Sequence, residues 1–165
     1  MQFVLPYGKI LTYDIDHPQA RVTGSELKMI VRNCAGGIAF NNDRVFMLRN
    51  DKHEWVFPKG VVRDGKTLKE VAVERFKIEA GLTVRILAPC GKTNYEFYSV
   101  TRRKPVHNNV SWFVMEAEND DITIDTSEGF VEGRFFPIEE ALAEITYSQD
   151  RSLLMTAYQR YKEIS

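Results

Sequence analysis

The chain has 165 residues, 44% hydrophobic and 27% charged. That is enough apolar content for one buried core, and it excludes a disordered tail or a collagen-like fibre. Lys plus Arg is 22 against 23 Asp plus Glu, a net charge of −1, so a globally basic nucleic-acid binder is not indicated. Two cysteines, Cys34 and Cys90, make neither a zinc cluster nor a disulfide framework. No run reaches the roughly 18 apolar residues of a membrane span, and the opening Met1-Gln2-Phe3-Val4-Leu5-Pro6 lacks the basic start of a signal peptide. A cytoplasmic protein with no membrane partner is expected.

Residues 1–30 read as an N-terminal extension, with residues 31–165 as the folded domain. The extension holds Pro6, Gly8, Pro18 and Gly24. Short strands are expected at Val4–Leu5 and Ile10–Tyr13, with a strand or turn at Ser25–Met29. The extension can supply a dimer strand, giving a homodimer, or cover a pocket. Ile30-Val31 and Ala35–Phe40 read as strand, turned by Asn41-Asn42-Asp43 into a second strand at Arg44–Arg49. Trp55-Val56-Phe57 is a short strand stopped by Pro58, and Lys59–Lys66 reads as a loop. Thr67 with Glu70 three residues on is a capping-box signature for a helix from Leu68 to Ala80, and Gly81 stands where a C-terminal glycine cap belongs. Strands follow at Thr83–Leu87, Tyr95–Val100 and Val110–Ala117, the last two joined by a loop at Thr101–Asn109. Val131–Phe136 is the final strand. Pro137 opens a short helix, and Ser148 caps a last one carrying Leu153, Leu154, Ala157, Tyr158 and Tyr161 at helical spacing. Strands, one helix, more strands and then helices point to a mixed sheet with helices on its faces.

Residues 55–82 read Trp-Val-Phe-Pro-Lys-Gly, Val-Val-Arg-Asp-Gly-Lys, the helix, and Gly-Leu. This resembles the box of the Nudix superfamily, anchored here on Gly60 and Gly81-Leu82. The Trp55–Gly60 entry is similar to that of diadenosine tetraphosphate hydrolases and diphosphoinositol polyphosphate phosphohydrolases. Gly133-Arg134-Phe135-Phe136-Pro137 with Glu-Glu-Ala-Leu, Thr146-Tyr147 and the last helix fit the same pattern. The resemblance implies an α/β fold, an α/β/α sandwich on a mixed sheet. It also implies hydrolysis of a nucleoside polyphosphate or another diphosphate-containing small molecule. In that family the box glutamates hold Mg²⁺ or Mn²⁺.

The box departs from the family pattern. Where the family has Glu, Arg, Glu, Glu and Glu, this chain has Lys66, Glu74, Arg75, Ile78 and Glu79. Only Glu79 is retained as a box metal ligand. At about 100° per residue, positions 75, 78 and 79 share one helix face. They offer a guanidinium, an aliphatic chain and one carboxylate, a poor site for a hard divalent cation.

Two functional readings follow. In one, the metal site has become an anion site where Lys59, Arg63, Lys66 and Arg75 bind phosphates, joined by Arg103 from the basic Arg102-Arg103-Lys104 loop. The protein is then a non-catalytic nucleotide-binding or regulatory protein-interaction module needing no metal. The bland counterpart is solvated surface charge with Arg75 paired to Glu79 at i, i+4. The other reading keeps hydrolysis; with most box carboxylates replaced, turnover is expected to be weak or absent under ordinary magnesium conditions. Glu79 is then joined by an acid such as Glu128 or Glu132, against the bland reading of those two as turn and strand-edge acids. Among Trp55, Tyr95, Phe97, Tyr98, Trp112 and Phe113, one aromatic can stack on a base, while strand aromatics mostly pack in cores. His17, His53 and His107 show no metal-ligand spacing.

Overall fold

Strand β3 is the axis of the fold. The structure, a computed structural model, describes residues 2–4, 10–12 and 28–165. In chain order the strands are β1 (Gln2–Val4), β2 (Ile10–Thr12), β3 (Ile30–Asn41), β4 (Arg44–Asn50), β5 (Trp55–Val56) and β6 (Lys59–Val61), then β7 (Val84–Ser99), β8 (Lys104–Ala117) and β9 (Phe130–Pro137). Helix α1 (Leu68–Ala80) lies between β6 and β7, and α2 (Ile138–Glu144) and α3 (Ser148–Ile164) close the chain. The main sheet runs β5-β4-β3-β8-β7, with β6 also on β3 and β9 on β4. The β3–β8 pairing is parallel, whereas β4, β6, β7 and β9 pair antiparallel, so the sheet is mixed. β1 and β2 pair with each other antiparallel. The expected element at Ser25–Met29 lies outside the described residues through residue 27, as does His17.

Strand alternation divides the interior into two cores. Cys34, Ile38 and Phe40 of β3 face one side, where they pack with Trp112, Val114, and Leu154, Ala157 and Tyr161 of α3. Ala35 and Ala39 face the other, with Val71, Ala72 and Phe76 of α1 and Phe113 and Met115 of β8. The layers are therefore α1, sheet, and α2 with α3, the sandwich expected from the sequence. Both cysteines are buried and free. No helix of the described residues is long and apolar enough to cross a membrane.

Helix α1 runs as read. The Thr67 side chain accepts from the Glu70 amide at 3.2 Å, and Glu70 accepts from the Thr67 amide at 3.0 Å. Gly81 adopts φ 67°, and its amide bonds to the Lys77 carbonyl while Leu82 reaches Phe76. That paired C-terminal arrangement needs a left-handed residue, which glycine adopts at no cost.

Other expectations are corrected. Lys59–Val61 is not loop: Gly60 sits opposite Ala35 in the ladder with β3. The expected loop Thr101–Asn109 shrinks to a turn at 100–103, because Lys104–Asn109 pair with Asn94–Ser99. Polar side chains hid that stretch, yet antiparallel pairing needs only backbone groups and a partner. The last helix begins at Ser148, with Tyr147 as the residue before it and no side-chain cap.

Candidate functional site

The site forms where α1 crosses β6. Gly60 has no β-carbon, and the Arg75 side chain lies directly over it; a Cβ there would stand 2.5 Å from Arg75 Cδ. Lying across β6, Arg75 spans two acids. Its Nη2 is 2.7 Å from Glu79 Oε1 and 3.0 Å from Glu128 Oε2, and its Nε is 3.1 Å from the same Glu79 oxygen. Glu128 arrives on a 3-10 turn, Thr126–Glu128, just before β9. That turn is held to α1 by the Asp125 amide bonding to the Glu79 carbonyl at 3.2 Å.

Glu79 is 2% exposed. Burial drives its carboxyl up to about 7, against the opposing pull of Arg75 and, further off, Lys59. Its other oxygen, Oε2, is buried and has no hydrogen-bond partner among the described residues. Burial disfavours the charge on Arg75, but its bonds to Glu79 and Glu128 outweigh this and hold it above its ordinary value.

The remaining basic candidates do not meet at Arg75. Lys66 turns to Glu74, with its Nζ 2.7 Å from both carboxylate oxygens, in an exposed pair. Arg63 is exposed in the loop after β6, and Arg103 occupies the distant β7–β8 turn at φ 53°. Lys59 faces the α3 side, its Nζ 5.3 Å from the centre of the Tyr95 ring. Burial pushes its ammonium down to about 8, opposed by Asp150 and, less strongly, Glu79. Glu132 is engaged by Arg49 at 3.0 Å.

The sequence reading missed what surrounds Lys59. Asp150 is 4% exposed, and burial raises its carboxyl to about 6 against the pull of Lys59. An acid in the first turn of a helix is ordinary, so position alone gave no signal. Beside it, Arg32 Nε donates to Asn108 Oδ1 and Asn108 Nδ2 to the Tyr95 hydroxyl, each at 2.8 Å. Tyr95 stacks on Phe97 at 6.0 Å between centroids, and Arg32 lies 5.5 Å from the Phe97 ring. Trp112 is fully inside, its indole N–H bonded to Thr93 at 2.8 Å.

A sequence model of the NUDIX domain matches residues 31–157. The chain belongs to the Nudix family. Among solved structures it is similar to a NUDIX hydrolase from Nitrosomonas europaea, with a TM-score of 0.65 and 16% identity over 82% of this chain and 74% of that one. It is also similar to an Ap4A hydrolase of C. elegans, at TM-score 0.64 and 20% identity over 80% of this chain and 98% of that one. An ADP-ribose pyrophosphatase of Streptococcus suis matches at TM-score 0.60 and 15% identity, over 79% of this chain and 92% of that one. In sequence it is 28% identical over 103 residues to a Mycobacterium tuberculosis protein that bears the name mutator protein MutT4; it covers 40% of that relative's length.

Nudix hydrolases generally use Mg²⁺ or Mn²⁺. The donor set on this Nudix helix does not fit such an ion. Among the described residues no three His, Cys, Asp or Glu side chains gather as ligands. A hard cation needs six or so oxygens, whereas this face offers Glu79 and Glu128 with a guanidinium bonded between them.

Proposed function

We propose that this Nudix protein binds a nucleoside polyphosphate or another diphosphate-containing small molecule, and that its hydrolysis of the diphosphate bond is weak or absent under ordinary magnesium conditions. One observation carries the reading: Arg75 is bonded to both Glu79 and Glu128, the two carboxylates put forward for metal binding and catalysis. A cation entering there has to displace an arginine from a mostly buried pair, and breaking such a pair is costly. The ligand class is supported by the names of its structural relatives, an Ap4A hydrolase and an ADP-ribose pyrophosphatase. Lys59, Arg63, Lys66, Arg75 and Arg103 are the cations put forward for the phosphates. Of these, Lys59 has the setting most unlike bulk water, beside Tyr95 and near Asp150.

Calorimetry with Ap4A and ADP-ribose, in Mg²⁺ and in a chelator, tests the reading. Binding that survives the chelator without product is expected. Binding that requires metal and releases product overturns it. A second arm restores the family pattern with Lys66→Glu, Glu74→Arg, Arg75→Glu and Ile78→Glu. Magnesium-dependent turnover is expected only after the four changes; a parent that already matches the rebuilt chain overturns the reading.

A further inference from the structure

A cavity opens at the start of α1, away from the Arg75 pair. It encloses about 580 Å³, and its lining includes Asn33, Asn94, Asn109, Ser111, Lys66 and Lys92, a size that suits a small organic ligand. Its floor is the same side of the sheet that α1 covers further along: Asn33 shares the face of Ala35 and Ala39, and Asn109 and Ser111 that of Phe113 and Met115.

The strand register arranges this floor. Asn33 stands opposite Asn109, and Asn109 opposite Asn94; in the next row Ser111 faces Lys92. With strands about 4.8 Å apart, three carboxamides form a row about 10 Å long. The central one is held in place. His107 Nε2 lies 2.9 Å from Asn109 Oδ1, and His107 Nδ1 lies 2.9 Å from Glu96 Oε1. As the imidazolium, which the Glu96 bond favours, His107 donates from both nitrogens, so one lone pair of the Asn109 oxygen is taken and its NH₂ is left to donate elsewhere. Asn33, Asn94 and Ser111 have no side-chain hydrogen bond among the described residues, and Lys92 has no ion pair there. Lys66 shares its charge with the exposed Glu74.

A carboxamide sets a donor beside an acceptor, which complements the edge of a nucleobase. An ammonium serves phosphate as a point charge. We infer that this cavity binds a nucleoside monophosphate, its base edge along the asparagine row and its phosphate toward Lys92 and Lys66. The inference does not rest on the diphosphate reading above; the two share only Lys66.

The test is a titration of the full chain with AMP, and separately with inorganic phosphate, followed through the side-chain amide signals of Asn33, Asn94 and Asn109. Saturating shifts of these signals at millimolar AMP are expected, with inorganic phosphate alone much weaker. Lys92→Met and Asn94→Leu should each weaken AMP binding about tenfold or more, as loss of a charged or paired hydrogen-bonding contact does. Both side chains are exposed, and a backbone amide spectrum unchanged away from the cavity shows that each variant is folded. Lys52→Met, in the exposed turn between β4 and β5, should leave AMP binding as it was. Shifts confined to the surroundings of Lys59 and Tyr95, equal response to phosphate alone, or no saturable change each overturn the assignment.

Discussion

Arg75 crosses the backbone of Gly60 at van der Waals distance, so that a residue with no side chain on one element sets the path of a long side chain on another. Gly60→Ala pushes a methyl group into the Arg75 methylenes. The expected cost is about 1–3 kcal/mol, typical of overpacking, read as a lower denaturant midpoint with unchanged slope. A neutral effect shows that Arg75 has another low-energy path.

Arg75 and Glu79 act as a unit. Arg75→Met leaves a buried carboxylate unpaired wherever Glu79 is ionised, which costs up to about 3–5 kcal/mol at pH 8 and above. Glu79 already titrates at about 7 with the arginine in place. Without it, protonation relieves the penalty at acidic pH, so the loss measured at pH 5 should be smaller than at pH 8. The double variant Arg75→Met with Glu79→Met should recover most of the stability. Additive losses in that cycle mean that the two side chains are not coupled.

His107 supplies a pH dependence of the opposite origin. Its bond to Glu96 leads in raising the imidazole above its ordinary value, with Asn109 adding and burial opposing. A raised folded value means that the folded chain holds the proton more tightly. The stabilisation is complete below the unfolded value near 6.5 and disappears as pH climbs through the higher folded value. His107→Gln should therefore destabilise most at pH 5.5, with the difference closing by pH 9. A difference that is flat or that grows with pH rules this origin out.

Thr67 and Glu70 cap α1 reciprocally. Thr67→Ala should cost about 1 kcal/mol, and Thr67→Asp should cost little, since aspartate also accepts at this position. Thermal or urea unfolding separates the two; equal losses mean that the cap is not what the threonine contributes.

The parts of the fold legible in the sequence are those fixed by local chemistry. Helix α1 carries start and stop signals within its own 13 residues and their neighbours, and the Arg75–Glu79 pair follows from helical spacing alone. Strand β6 was not legible, because a glycine between Lys59 and Val61 reads as loop until β3 supplies its partner. Nor was the contact of Arg75 with Glu128, 53 residues away in sequence. The polar start of β8 was hidden because His107 and Asn108 take side-chain partners from neighbouring strands, in Glu96, Tyr95 and Arg32. Asp150 gave no signal because its burial is decided by the packing of α3 rather than by its neighbours in the chain.

β3 changes companion along its length, meeting β4 at Phe40–Asn41 and β6 at Cys34–Gly36. One flank of the sheet thus forks, and the prong ending in β6 leads straight into the loop and helix that bear Arg75. Opening that prong requires the Gly37 amide to release the Pro58 carbonyl and the Val62 amide to release Asn33. These two protons should exchange with solvent together, reporting on the gate of the arginine's seat while the β3–β8 seam stays closed.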